Sequence, residues 1–195
     1  MAITYVKRES ENQKTQLVAL TQTDKDNNQI LNGSDAPTIV VVVNHQRLHE
    51  GRAFFASHVV NNGSYLANGA TMDFVFAAGP GTIVHLSYLA SCGGDAEYGL
   101  YEGTTSTGGT PYTPIKRNRT SSTVSNVAMV LNPTITNVGT QIYNDLIIGG
   151  GKTKTGGGAE HSIEFVLSPL TNYMVRLVNT SGTNQVASLT LEWYE

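Results

Sequence analysis

From residue 38 onward, apolar and polar residues alternate with a period of two, the signature of half-buried β-strands. In Thr82–Ser91, Val84, Leu86, Tyr88 and Ala90 fall on one face and Ile83, His85 and Ser87 on the other. Val186–Tyr194 divides the same way, with Leu189, Leu191 and Trp193 set against Thr190, Glu192 and Tyr194. The pattern predicts further strands at Arg52–Val60, Thr71–Ala78, Asp95–Tyr101, Ser122–Leu131, Gln141–Ile148, Glu160–Leu167 and Tyr173–Asn179. Thr38–Val43 (TIVVVV) is a continuous β-branched run and predicts a strand covered on both faces. Turn signals such as Asn62-Gly63, Gly79-Pro80-Gly81, Gly93-Gly94 and Ser181-Gly182 separate the strands at intervals of about ten residues. About eight to ten strands spaced in this way predict an all-β fold, a jelly-roll-like antiparallel sandwich of two packed sheets.

The first 37 residues break the pattern. Glu9–Leu20 has the spacing of a short helix, and DKDNNQILNGSDAP is polar and turn-rich. So little of this segment can be buried that residues 1–37 are expected to form an extended N-terminal arm, and 38–195 a single β domain. A chain of 195 residues suffices for one domain with a full core.

Composition agrees: 39% hydrophobic and 14% charged residues leave much of the chain to Gly, Thr, Asn and Ser, the mixture of loop-rich β proteins. The single cysteine, Cys92, allows no intrachain disulfide, so packing must hold the fold. A net charge of −3 gives no overall attraction to nucleic acid or anionic membrane, and neither is expected as a partner. No window approaches the ~18 apolar residues of a membrane span. MAITYVKRESENQKT lacks the apolar region of a signal peptide, which predicts synthesis in a cytosol, that of a virus-infected host included.

The candidate chemistry is sparse. GGGKTKTGGG (Gly149–Gly158) suggests a phosphate loop, but the glycine needed five residues before Gly151-Lys152-Thr153 is replaced by Leu146. An exposed loop with solvated Lys152 and Lys154 is the preferred reading. On a strand, His45 and His49 would lie ~13 Å apart at ~3.3 Å per residue, too far to share one metal ion with ~2.0–2.1 Å bonds. On a helix the pair could chelate, but H-x-x-x-H-E lacks the internal glutamate of a metalloprotease. Surface or interface histidines are preferred, and no metal site or cofactor is assigned. His58, His85 and His161 stand apart from one another in the sequence. No G-x-S-x-G occurs, Cys92 has no flanking cation to activate it, and Asp73, Asp95, Glu97 and Glu102 are scattered. A non-enzymatic protein is therefore expected.

The strongest charge feature closes Tyr98–Ser122, which starts as a strand, runs through a polar loop and ends in Lys116, Arg117 and Arg119. Such cations read either as a solvated loop, since exposed ion pairs are weak, or as a contact with another protein that salt would weaken. The terminal SLTLEWYE adds Tyr194 as a residue for a symmetric subunit contact. Lys116, Arg117, Arg119, Lys152, Lys154 and Tyr194 are the candidate contact residues.

Several segments in unbroken order carry a resemblance: the histidines and HEG of His45–Gly51, VHLSYLASCGGDAEYGLYEG at Val84–Gly103, KRNRTSS at Lys116–Ser122, LNPTITNVGTQI at Leu131–Ile142, PLTNYMVRLVNTSG at Pro169–Gly182 and the terminal LEWYE. In these, residues 38–195 resemble the capsid decoration, or cement, proteins of tailed bacteriophages. The resemblance implies a jelly-roll-like domain, usually a homotrimer, on the outer capsid where major capsid subunits meet. Such a protein binds only the assembled lattice and stabilises it by linkage and multivalency. No catalytic or metal residue is implied. The alternative is a receptor- or glycan-binding head of a tail fibre, for which Tyr101, Tyr112 and Tyr194 are the candidate stacking residues. A cupin-type enzyme would need a His/Glu metal set that the strands do not supply.

Overall fold

The computed structural model describes residues 22–23, 29–30, 43–61, 63–149, 157–160 and 163–195. The chain divides into two compact units, Met1–Val42 and Val43–Glu195. In the first, β1 (Gln22–Thr23) pairs antiparallel with β2 (Gln29–Ile30). The helix predicted over Glu9–Leu20 lies outside the described residues, as do residues 38–42 of the predicted TIVVVV strand.

The last residue of that run, Val43, belongs to a helix, α1 (Val43–His49). The β-branched run ends there, and Gln46, Arg47 and Leu48 are good helix formers. Gly51 ends the helix: at φ 74° it accepts the left-handed conformation that an L side chain resists. Its amide donates to the Leu48 carbonyl, and the Arg52 amide donates to the Arg47 carbonyl, the two bonds of a Schellman cap.

The rest is β-structure: β3 (Ala53–Val60), β4 (Thr71–Ala78), β5 (Val84–Cys92), β6 (Ala96–Glu102), β7 (Thr105–Thr107), β8 (Thr110–Tyr112), β9 (Ile115–Lys116), β10 (Val127–Leu131), β11 (Thr134–Asn137), β12 (Thr140–Ile147), β13 (Gly157–Glu160), β14 (Phe165–Leu167), β15 (Asn172–Asn179) and β16 (Ala187–Tyr194). Sheet I has the order β13-β5-β16-β3-β9, with β14 also on β5; sheet II has the order β12-β6-β15-β4-β10-β8. β7 and β11 form a separate pair. All pairings are antiparallel.

Eight of these strands, β3, β4, β5, β6, β12, β14, β15 and β16, alternate between the sheets along the chain, apart from β6 and β12, which are neighbours in sheet II. Counted in chain order, they lie 6-3-8-1 in sheet I and 5-4-7-2 in sheet II, the arrangement of a jelly roll. The chain between β6 and β12 adds β9 to one edge of sheet I and β8 and β10 to one edge of sheet II. The stretch expected to be a polar loop thus contains β7, β8 and β9. Strands of two or three residues are too short for alternation to register. The strand predicted at Ser122–Leu131 begins only at Val127, and the one predicted at Glu160–Leu167 is divided between β13 and β14.

The core lies between the inward faces. Leu86, Tyr88, Leu189, Leu191, Trp193 and Phe54 of sheet I pack with Phe74, Phe76, Leu100, Val175 and Leu177 of sheet II. Trp193 stacks on Phe54 with centroids 6.0 Å apart, and Cys92 is buried in the same cluster. Tyr112 of β8 joins the two sheets at one edge, beyond the last β3–β9 pair at Phe55. Its hydroxyl donates to the Ser57 carbonyl (2.8 Å) and accepts from the Ser57 amide (3.1 Å). The outward side of sheet II is also partly closed. There Asp73 and Arg176, directly opposed on β4 and β15, form a two-pronged ion pair with both contacts at 2.8 Å.

Candidate interaction surface

The alternation that sends Leu189, Leu191 and Trp193 into the core leaves Ser188, Thr190, Glu192 and Tyr194 on the outward face of sheet I. Register sets Ser188 between Ser91 and Val59, Thr190 between Leu89 and Ser57, and Glu192 between Ser87 and Phe55. Small hydroxyl side chains bond one another across the strands: Ser57 with Thr190 at 2.8 Å, and Ser91 with Ser188 at 2.7 Å. Such pairs satisfy their own polar atoms. Val59, Leu89 and Val166 stand exposed among them.

Toward the end of β16 the face becomes charged. Arg117 Nη1 meets Glu192 Oε2 at 3.1 Å in an exposed pair, which makes little contribution to stability and leaves both groups available to a partner. The Tyr194 hydroxyl donates to Glu164 Oε1 (2.8 Å), and its ring stacks on His85 with centroids 4.5 Å apart. His85 Nδ1 contacts the same carboxylate oxygen. Burial opposes the charge on Glu164, but the hydrogen bonds from His85 and Tyr194 outweigh it and hold the carboxyl below its ordinary range. Burial, and then the bond to Glu164, push the Tyr194 phenol up to about 12.

A phenol raised in this way favours the folded state fully below the unfolded value near pH ~10, and that contribution is lost as pH rises through about 12. Glu164→Gln should therefore bring the Tyr194 ionisation, followed by NMR of its ring, to a lower pH. An unchanged midpoint would mean that burial alone sets it.

Beside this face lies a basic cluster assembled from two segments. The Arg117 amide donates to the Ala53 carbonyl at 2.9 Å, and Asn118 Nδ2 donates to the His49 carbonyl at 3.2 Å. Gly51 rests against Ser121 so closely that a Cβ there would overlap the Ser121 side chain. Arg47 and Arg52 of the helix end thus join Lys116, Arg117 and Arg119 of the loop. Of the described lysines and arginines, only Arg176 lies elsewhere. Arg47 is paired with Glu50 at 3.0 Å. Arg119 is exposed, with no ion-pair or hydrogen-bond partner among the described residues.

The sequence-derived contact residues therefore part company. Arg117 and Tyr194 meet on one face through β16, and Arg119, two residues further along the loop, is exposed. Lys116 instead braces its own loop, donating to the Ser121 carbonyl at 2.7 Å. Lys152 and Lys154 lie outside the described residues. His85, read as isolated, belongs to the Tyr194 group. Its outward position was visible in the alternation, but its partner Glu164 comes from a segment whose spacing gives no hint of the contact. Arg47 and Arg52 were missed because only the fold brings the end of α1 to the loop.

The remaining candidates are engaged structurally. Glu102 accepts from the Tyr173 hydroxyl (2.9 Å) and Asp95 from the Gly149 amide (2.7 Å). The Tyr112 hydroxyl is taken up by Ser57, and that of Tyr101 accepts from Gln141 at 3.2 Å. Among the described residues no three His, Cys, Asp or Glu side chains gather as a metal set. Comparison with protein-family models, with curated proteins and with solved structures finds no match for this chain.

Proposed function

We propose that this chain is a non-enzymatic structural protein of a bacteriophage virion: a decoration, or cement, protein that seats on the outside of the assembled head between major capsid subunits. The observation that carries the reading is the outward face of sheet I. It is lined by small, mutually bonded hydroxyls, has scattered exposed apolar side chains, and is bordered at one end by the cluster of Arg47, Arg52, Arg117 and Arg119. A face of this kind suits a protein contact better than a substrate pocket, because its polar atoms are already satisfied and its cations remain open to acidic groups of a partner. The segments that resemble decoration proteins include β5, the Lys116–Ser122 loop and the end of β16, which help to build the face and its border.

In this reading the protein acts as a homotrimeric rivet. It binds the closed lattice and not free coat subunits, and so shifts the equilibrium toward the assembled head; three linked copies hold on together. A tail-fibre head that stacks sugars is less well supported, since Tyr112 and Tyr194 have their hydroxyls and rings engaged within the fold.

The test is binding to purified heads that lack the protein. Arg117→Ala with Arg119→Ala should lower occupancy, and the deficit should shrink as salt screens the wild-type contact. Equal occupancy of variant and wild type across a salt series would remove the basic cluster from the interface.

A further inference from the structure

We propose that His45 and His49 form a chelating site for a divalent transition-metal ion that favours imidazole ligands. The two residues stand four apart on α1, so their rings fall on one side of the helix. Their Nε2 atoms lie 3.0 Å apart, with ring centroids 4.5 Å apart and planes inclined at 74°. Both side chains are exposed, which gives an ion access and room for water on its other positions.

The separation is informative. Two nitrogens 3.0 Å apart, each ~2.0–2.1 Å from one ion, subtend about 90° at the metal, the angle of neighbouring ligands in octahedral or square-planar coordination. Without an ion, the contact is one N–H···N hydrogen bond in which a lone pair of one ring meets the proton of the other. On metal binding the donor ring carries that proton on Nδ1 instead, which leaves both Nε2 lone pairs for the ion.

The backbone beneath the pair is fixed in advance. Gly51 caps the helix, its close seat against Ser121 admits no side chain, and the His49 carbonyl accepts from Asn118. A helix held this way loses little freedom on binding, as a preorganised site requires. Arg47, the nearest cation on α1, is paired with Glu50, which reduces its repulsion of an incoming ion. A strand would have placed these rings too far apart, so the site depends on the helix that replaces the predicted strand at Val43.

Two imidazoles alone select by metal chemistry. Affinity should rise from Co²⁺ through Ni²⁺ to Cu²⁺, with Zn²⁺ also bound, whereas Mg²⁺ and Ca²⁺ prefer oxygen ligands and should not compete.

The test is calorimetric titration of the untagged, metal-free full chain with nickel chloride, and with magnesium chloride as control. One nickel ion per chain is expected. His45→Ala and His49→Ala should each weaken binding about tenfold or more, while His58→Ala leaves it unchanged. NMR of the wild type, which needs no variant, should show zinc chloride shifting the imidazole signals of His45 and His49 and not those of His58 and His85. No binding of nickel by the wild type, unaltered affinity in both single variants, or zinc shifts centred on His85 would overturn the proposal.

Discussion

Replacing Arg176 by alanine should destabilise the domain by about 3–5 kcal/mol, the range for breaking a buried ion pair from one side. The Asp73 carboxylate is 4% exposed and Arg176 is 16% exposed, so water cannot replace the lost partner. Arg176 supplies two parallel N–H donors to that carboxylate; Thr71 Oγ1 adds one at 3.1 Å. Truncation leaves Asp73 with a single hydroxyl donor in a place built for a guanidinium. The bond to Asp73 also pushes the arginine above its ordinary value, so Arg176 holds its charge. Removing both charges, as in Asp73→Val with Arg176→Met, should restore much of the loss, because the penalty lies in the orphaned charge and not in the absent attraction. Denaturant unfolding followed by Trp193 fluorescence measures both. A loss under about 1 kcal/mol for Arg176→Ala would show that Asp73 is resolvated from the sheet surface.

Phe54→Ala should cost about as much, ~3–5 kcal/mol, for a different reason. Phe54 is fully buried, stacks on Trp193 and stands on β3 between Trp193 of β16 and Lys116 of β9. Its loss leaves a void between strands whose hydrogen bonds hold them in place, so the walls cannot collapse to fill it. The Trp193 emission of the folded variant should change as its stacked partner disappears. A loss near that of a surface substitution, about 0.5 kcal/mol, would mean that the edge carrying β9 and the basic loop can shift inward. That outcome would bear on function, since Arg117 and Arg119 follow directly from β9.

The sandwich was legible where strands were long. Thr71–Ala78 matches β4 in full, and the faces of β5 and β16 were read residue by residue, because five or more alternating positions average out local exceptions. The short strands β7, β8 and β9 were not, since pairing with β11, β10 and β3 decides them and their own composition does not. The helix at Val43–His49 was hidden behind the β-branched run before it, although His49-Glu50-Gly51 contained the cap that ends it. The same limits apply to the site. Three cations in the Lys116–Arg119 run were plain in the sequence, and so was the outward side of Tyr194. That Lys116 turns back to Ser121, that Arg47 and Arg52 join the cluster, and that Glu164 links His85 to Tyr194 are consequences of long-range contacts, which no local pattern encodes.

The proposed seating on a capsid lattice sets the outward face of sheet I and its basic border against the coat. Cryo-electron microscopy of the virion that carries the chain tests it most directly. The expected result is density for the sandwich on the outer head surface, repeated at equivalent junctions of major capsid subunits as a trimer, with Arg117 and Arg119 facing the coat. Density confined to the tail tip, or a head bare of it in virions shown to contain the protein, would rule out a seat on the capsid.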